Sequence, residues 1–214
     1  MPIPDHIPRW ECPREWEGQT AFVICGGSSV DKGQRATLHS LFAKGEHRFI
    51  AIKQSVEALP HADVMLCGNK DDYRHLGRHF DLYKGPRLIA RTWYAHMPER
   101  TLFMRRYGSH KGGGKHKLSR LPTHLAGFDT GMSGINLAYL FGAKEIVVAG
   151  MDMTGGHWMA KHPLQNPPRD HFTRHMEAIV QIADDLKKEG VPVWNASPIS
   201  ALKCWPHRKL EEWL

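Results

Sequence analysis

Four histidines in the last third of the sequence could supply proton-transfer chemistry: His157, His162, His171 and His175. His171 and His175 are four residues apart, a spacing that places both on one face of a helix, where such a pair could bind a metal ion. No Cys or Glu ligand pattern accompanies them, and imidazole titrates near neutral pH. We therefore predict that one of these histidines acts as a general base and that no metal is bound. A surface or capping role stays open for each.

An apolar run, FVIC, is followed directly by Gly26, Gly27, Ser28 and Ser29. Glycine lets a backbone approach a ligand closely, and successive N–H groups at a helix start can hold an anion. The spacing matches neither the dinucleotide-binding G-x-G-x-x-G nor a P-loop. The pattern therefore indicates either a ligand-binding turn or a tight strand-to-helix turn with a serine cap.

A carboxylate, Asp152, follows a second apolar run, EIVVA, and Gly150. Burying a carboxylate is costly unless it is paired, so Asp152 is expected to have a partner or a role. It could orient a sugar hydroxyl, bind a metal or accept N–H bonds in a turn.

The segment DTGMSG, residues 129–134, leads into a predicted helix. Small residues and hydroxyls at a helix N-terminus suit a phosphate or a ribose. Asp129, Thr130 and Ser133 are also good capping residues, so plain capping is the alternative.

Residues 105–120 carry six Lys or Arg and two His without a carboxylate, within a chain of net charge +7. The glycines in this segment predict a mobile basic loop. Its cations could clamp the phosphates of a nucleotide or a nucleic acid, and a solvated loop is the alternative. The predicted phosphate or acceptor contacts are Arg105, Arg106, Lys111, Lys115 and Lys117.

Short apolar runs alternate with helical patterns from residue 20 onward, after an N-terminal arm, 1–19. We predict strands at 20–25, 47–52, 63–67, 87–90, 101–104, 145–149 and 191–194, and helices at 31–44, 55–59, 71–78, 134–141, 170–188 and 206–214. This order predicts one α/β domain over 1–214, with a mainly parallel sheet covered by helices on both faces. Ligands of such folds bind beyond the carboxyl ends of the strands.

No apolar run approaches the ~18 residues of a membrane span. The first residues, MPIPDHIPRWECPREWEG, lack the apolar centre of a secretory signal. The four cysteines are scattered without a C-x-x-C pair. Reduced thiols, a cytoplasmic location and no membrane partner are therefore expected.

Several segments together resemble a known superfamily: GGSSV after the first strand, IKQS after the second, TGMSGINLAYLFGAKEIVVAGMDM, and VPVWNASPISAL. They resemble the Rossmann-like superfamily of bacterial sialyltransferases and 6-hydroxymethylpterin diphosphokinase-like proteins, which has small phage-encoded relatives. The resemblance covers residues 20–67 and 128–205. It implies a Rossmann-like domain and transfer of a sugar from a nucleotide donor without an obligatory metal.

The resemblance also implies roles for individual residues. Asp152 would lie near the donor ribose or base, and His171 is nearest to the general base that precedes the long C-terminal helix, with His175 possible. The implied donor-binding residues are Gly26, Gly27, Ser28, Lys53, Gln54, Thr130, Gly131, Asn195 and Ser197.

These observations predict a glycosyltransferase that uses a nucleotide-sugar donor, of CMP or UDP type, with a histidine base. The acceptor could be a phosphorylated molecule or a nucleic acid, such as a hydroxylated base on phage DNA. One alternative is a magnesium-dependent diphosphokinase using ATP on a small alcohol, with Asp152 and Asp71 or Asp72 as metal ligands. Another is a non-catalytic nucleic-acid-binding phage accessory protein. The oligomeric state stays open.

Overall fold

A computed structural model describes residues 3–68, 70–93, 97–107, 117–158 and 172–214. In the helix Lys70–Leu82, side chains are described from Leu76 onward. Seven parallel strands form one sheet in the order β5-β4-β3-β2-β1-β8-β9, and β6 and β7 form a separate parallel pair. The strands are β1 (Thr20–Ile24), β2 (Arg48–Ile52), β3 (Val64–Cys67), β4 (Arg87–Ala90), β5 (Thr101–Phe103), β6 (Arg105–Arg106), β7 (His124–Leu125), β8 (Glu145–Ala149) and β9 (Val193–Asn195).

The main sheet is apolar on both faces because each face is covered. In β1, Ala21 and Val23 belong to one core, whereas Phe22 and Ile24 belong to the other. The first core contains residues of helices α3 (Thr130–Leu140) and α4 (Thr173–Lys188). The second contains residues of α1 (Lys32–Lys44) and α2 (Lys70–Leu82). The predicted α/β domain with helices on both faces is confirmed.

The sheet order creates a switch point between β1 and β8. The chain proceeds from β1 outward through β2, β3, β4 and β5 on one side, whereas β8 and β9 lie on the other side of β1. Connections that diverge to opposite sides leave a crevice at the carboxyl ends of the two central strands. The segments that follow β1 and β8 therefore flank the expected ligand-binding position.

Helix α3 begins at Thr130, four residues before the predicted start at Gly134. The reason is the side chain of Asp129, which accepts a hydrogen bond from the Met132 N–H at 2.8 Å and caps the helix. The predicted helix left out the TGMS residues, but they form the first turn of α3, which is buried throughout.

The predicted irregular loop over 105–120 differs from the structure at both ends. Arg105 and Arg106 form β6, which pairs with His124 and Leu125. At the other end, Leu118 is buried and donates its N–H to the Asp185 carboxylate at 3.0 Å. Side-chain burial and strand pairing thus order residues whose composition favoured an irregular segment. The part between them, 108–116, lies outside the described residues.

The four cysteines form no disulfide bond. Across the described ranges, no helix has both the length and the apolar character needed to cross a bilayer.

The buried side-chain amide of Asn136 bonds helix α3 to the chain segments on either side of β7. The Asn136 side chain is fully buried, and its oxygen accepts the N–H groups of Ser119 at 3.1 Å and Ala126 at 2.7 Å. Its amide nitrogen donates to the Ser119 carbonyl at 2.9 Å. A single residue therefore satisfies three buried backbone groups.

We expect Asn136→Ala to lower the free energy of unfolding by about 1–3 kcal/mol, because it leaves buried backbone groups without hydrogen bonds. Urea denaturation measures the change. The control is Ser40→Ala, at an exposed position of α1, which should change stability by less than about 0.5 kcal/mol. Equal effects of the two substitutions would contradict this role of Asn136.

Candidate functional site

The hydrogen bonding between β1 and β8 continues into the turns that follow the two strands. The Cys25 N–H donates to the Ala149 carbonyl and the Gly27 N–H donates to the Gly150 carbonyl, both at 2.8 Å. Gly150 has φ of +73°, and a Cβ there would lie 2.6 Å from the Cys25 carbonyl oxygen. The two central turns are thus bonded to one another at the switch point.

Asp152 anchors the turn that follows β1. Its carboxylate is buried and accepts the Ser29 N–H at 2.9 Å, the Ser29 hydroxyl at 2.5 Å and the Ser28 hydroxyl at 3.5 Å. Of the three roles considered for Asp152, this geometry matches the acceptance of turn hydrogen bonds. These bonds satisfy the buried charge without a ligand.

Packing within the protein explains the glycine pair. A Cβ on Gly26 would lie 2.2 Å from the His157 Nε2 atom. A Cβ on Gly27 would lie 2.5 Å from both an Asp152 carboxylate oxygen and the Gly150 carbonyl oxygen. The pair is therefore required by neighbouring side chains and backbone, and a ligand is not needed to explain it.

Asn195 and Ser197 support the β8 turn from the adjacent edge strand. The Asn195 side chain accepts the Ser197 N–H at 3.0 Å, and the Ser197 hydroxyl accepts the Gly150 N–H at 2.7 Å. Both side chains are buried. The hydrogen bonds of these two predicted donor-binding residues hold the turn.

The first turn of helix α3 lies at the same edge of the sheet. A Cβ on Gly131 would lie 2.6 Å from the Met151 side chain and 3.1 Å from the Cys25 sulfur. Thr130 is 2% exposed, and its hydroxyl has no hydrogen-bond partner among the described residues. This hydroxyl faces Gly68, which follows β3. Thr130 and Gly131 thus adjoin the ends of β1, β3 and β8.

An aspartate–histidine pair stands at the start of α3. His175 Nδ1 lies 2.9 Å from the Asp129 carboxylate, whose other oxygen accepts the Met132 N–H. The Phe128 ring packs edge-on against the imidazole at 4.8 Å between centroids. Sequence reasoning included His175 but treated Asp129 only as a cap, because the pairing joins residues forty-six positions apart.

The electrostatics of Asp129 reflect this pairing. Burial by itself would raise the pKa of the carboxyl group. The hydrogen bond and charge of His175, the Met132 N–H and the charge of Arg91 oppose burial and bring the pKa below its ordinary value. Asp129 is therefore an ionised hydrogen-bond acceptor at neutral pH.

Two guanidinium groups meet at one carbonyl just before α3. Arg91 is buried and donates to the Gly127 carbonyl at 2.8 Å and to the Ser133 hydroxyl at 2.7 Å. Arg106 donates to the same Gly127 carbonyl at 3.3 Å. Burial and the charge of Arg91 lower the pKa of Arg106 to about 10, so both groups are cationic at neutral pH.

Arg91 was absent from the predicted set of site residues. Its position as the first residue after β4 was the available signal, because that position lies at the carboxyl edge of the sheet.

Backbone strain marks the same edge. Among the described residues, the non-glycine residues with positive φ are Lys53 (+52°) and Met153 (+56°). Lys53 follows β2, and Met153 follows Asp152. Non-glycine residues held in this conformation cluster at ligand sites in many proteins. Gln54, next to Lys53, is buried in a 3-10 helix, Lys53–Glu57.

Several charges converge on Cys25. Burial is the main cause that raises the pKa of this thiol, and the charges of Asp129 and Asp152 raise it further, whereas Lys53 lowers it. Groups that follow β2 and β8 or cap α3 therefore act on one central residue. Cys25 itself is a neutral, buried thiol.

Three predicted residues, His171, Lys111 and Lys115, lie outside the described residues. Arg105 and Lys117 are exposed, whereas Arg106 is half-buried. Within the described ranges, no group of three or more His, Cys, Asp and Glu side chains has a geometry that could hold a metal ion.

The chain has no significant match to a protein-family model or to a curated protein sequence.

We expect Gly27→Ala to destabilise the protein by about 1–3 kcal/mol, the usual cost of overpacking, because the added methyl group meets the Gly150 backbone. Gly77→Ala is the control: a Cβ there meets nothing within 4 Å, and the residue lies in α2. It should be neutral or stabilise by up to about 1 kcal/mol. Thermal or urea denaturation distinguishes them, and a neutral Gly27→Ala would contradict the packing argument.

Asp129→Asn keeps a capping side chain but removes the charge. Because folding lowers the pKa of Asp129, its carboxylate adds stability above the unfolded-state pKa of about 3.9. That stability is lost as the pH falls through the lower folded-state pKa. We expect the wild type to be more stable than the variant at about pH 6, with a difference that shrinks below about pH 4. Urea denaturation over a pH series measures it, and a pH-independent difference would contradict the interpretation.

Proposed function

We propose that this protein is a transferase that uses a nucleotide-activated donor, most simply a nucleotide-sugar-dependent glycosyltransferase. The observation that carries the proposal is the hydrogen bond between Asp129 and His175 at the start of α3. Helix α3 packs on β1 and β8, the strands that flank the switch point. An oriented imidazole at the ligand-binding edge of an α/β sheet is what base-assisted transfer to a hydroxyl requires.

The hydrogen bond determines which imidazole nitrogen acts as the base. An ionised carboxylate only accepts hydrogen bonds, so His175 carries its proton on Nδ1 and donates it to Asp129. Nε2 is then the basic nitrogen, and it takes the proton of the acceptor hydroxyl. The acceptor oxygen forms a bond to the sugar carbon while the bond from that carbon to the phosphate oxygen breaks. The departing nucleotide retains that electron pair.

Cations and helix N–H groups beside the base support a position for the departing phosphate. Arg91 and Arg106 both donate to the Gly127 carbonyl, two residues before Asp129. The first-turn N–H groups of Thr130 and Gly131 have no partner within the helix itself. Positive charge and oriented N–H groups stabilise the negative charge that develops on a leaving phosphate. The buried Thr130 hydroxyl is a further donor beside them.

Asp152 has a positioning role in this proposal. Its carboxylate holds the turn after β1 through three donors on Ser28 and Ser29. The magnesium-dependent alternative would require Asp152 to exchange these donors for a metal ion. The nucleotide screen below therefore includes magnesium and EDTA.

We expect one nucleotide of the set CMP, UDP, GDP, ADP and ATP to raise the melting temperature well above the others. A ligand that binds only the folded state stabilises it in proportion to the logarithm of its concentration over Kd. Each nucleotide is tested with magnesium and with EDTA. A shift by CMP or UDP that persists in EDTA supports the proposal, whereas an ATP shift that requires magnesium supports phosphoryl transfer instead. No shift by any nucleotide contradicts a nucleotide-activated donor.

We expect His175→Ala to reduce kcat for consumption of the selected nucleotide-sugar by about 10²–10⁴-fold, the usual contribution of a general base. Asp129→Asn should also reduce kcat, because an amide can stabilise the wrong imidazole tautomer while still capping α3. The control is His39→Ala on the exposed face of α1. Measurement of kcat, KM and melting temperature separates catalysis from stability. An unchanged kcat in His175→Ala would exclude His175 as the base.

A further inference from the structure

The β6–β7 pair, here called the ribbon, presents one residue of β6 outward and the next inward. The Arg105 N–H donates to the Thr123 carbonyl and the Tyr107 N–H donates to the Leu125 carbonyl, both at 2.8 Å. Arg105 is exposed and Tyr107 is 38% exposed. Arg106, between them, is half-buried. This alternation is the ordinary side-chain pattern of a strand.

The outer face of the ribbon combines a cation with two rings. The Tyr107 ring packs edge-on against the His124 imidazole at 6.4 Å between centroids. Burial and the charge of Arg105 lower the pKa of His124, so this imidazole is neutral at neutral pH. The face therefore offers one permanent positive charge beside two uncharged rings.

Other exposed groups lie close to β7 in the sequence. Lys117 is exposed, and Leu121, three residues before His124, is 51% exposed. Arg120 is also exposed, but it pairs with Glu189 and contributes no net charge. The face thus carries the Arg105 cation, and a further cation and apolar surface lie nearby in the sequence, on a chain of net charge +7.

The inner face of the ribbon reaches the proposed base. The Arg106 guanidinium donates to the carbonyls of Gly127 and Phe128, both at 3.3 Å. Phe128 precedes Asp129 and packs its ring against His175. A two-residue strand therefore joins the outer cation-and-ring face to the residues that hold the Asp129–His175 pair.

We propose that the outer face of the ribbon docks a single-stranded nucleic acid, which is the acceptor of the transfer. Exposed rings stack on bases that are not already paired, and neighbouring cations bind the phosphate backbone. The docking surface is Arg105, Tyr107 and His124. Only the acceptor role rests on the proposed function; the docking itself does not depend on it.

The test is fluorescence anisotropy of a labelled thymidine oligonucleotide of about fifteen nucleotides, within the range of single-strand site sizes, titrated at several salt concentrations. We expect Tyr107→Ala to weaken binding by about 5- to 100-fold, because stacking is worth ~1–3 kcal/mol per base. Tyr107→Phe keeps the ring and should bind like the wild type. Arg105→Gln should reduce the slope of log K against log salt by about 0.7.

The control is Lys144→Gln, an exposed cation at the opposite end of the sheet, which should leave oligonucleotide affinity unchanged. Equal binding by wild type and Tyr107→Ala would overturn the proposal. Equal or stronger binding of a duplex would overturn the single-strand assignment. Tyr107-dependent binding to vesicles containing anionic lipid, without oligonucleotide binding, would identify a membrane surface instead.

The same variants separate this inference from the proposed function. Tyr107→Ala should keep the nucleotide-dependent rise in melting temperature of the wild type, because Tyr107 lies on the outer face. Oligonucleotide binding without any nucleotide shift would support the docking surface and contradict only the nucleotide donor. A nucleotide shift without oligonucleotide binding would contradict only the docking surface.

Discussion

The buried carboxylate of Asp152 holds the centre of this structure together. It follows β8, yet its hydrogen bonds go to Ser28 and Ser29, which follow β1. Because a buried charge must be satisfied by nearby donors, these bonds fix the two central turns against each other. Gly27 belongs to the same constraint, since a larger residue would meet both the carboxylate and the Gly150 backbone. The switch point of the sheet is thus a bonded junction of two turns.

Near this junction, polar side chains from distant parts of the chain hold one another in position. Asp129 caps α3 and orients His175 of α4, so the position of this imidazole depends on where α3 begins. Arg91 follows β4 and Arg106 belongs to β6, but both side chains donate hydrogen bonds to the Gly127 carbonyl. The two guanidinium groups and the imidazole therefore surround the first turn of α3, while Asp152 organises the turn beside it.

Much of the fold could be predicted because the apolar pattern is strong. The run EIVVA predicts β8 with the bounds found, and RLIA does the same for β4. Asp31 was expected to begin α1 and does cap it, by accepting the Gln34 N–H. The start of α3 was missed, because the pattern shows apolar periodicity only from Gly134 onward, whereas the Asp129 cap extends the helix. The ribbon was also missed, because two-residue strands carry no periodicity.

The site was less predictable because its key contacts join residues far apart in sequence. Glycines such as Gly26 and Gly27 have the same appearance in a sequence whether a ligand or a neighbouring side chain requires them. Here His157 and Asp152 occupy the positions beside them. Asn195 and Ser197 likewise have the polar character of ligand-binding residues, yet both bond to backbone. Pairings such as Asp129 with His175 become visible only when the helices are placed in space.

The edge strand β9 has a consequence for the motions of this protein. Residues that follow it bond to the turn after β8: the Ser200 hydroxyl donates to the Met151 carbonyl, and the Ala201 N–H donates to the Asp152 carbonyl. On the side away from β8, Asn195 of β9 bonds to Pro206 and Arg208, but an edge strand still detaches more readily than a central one. Transient detachment of β9 would release these bonds, so fraying at the periphery would loosen the interior junction. The rigidity of the central turns therefore depends in part on whether the edge strand β9 stays paired.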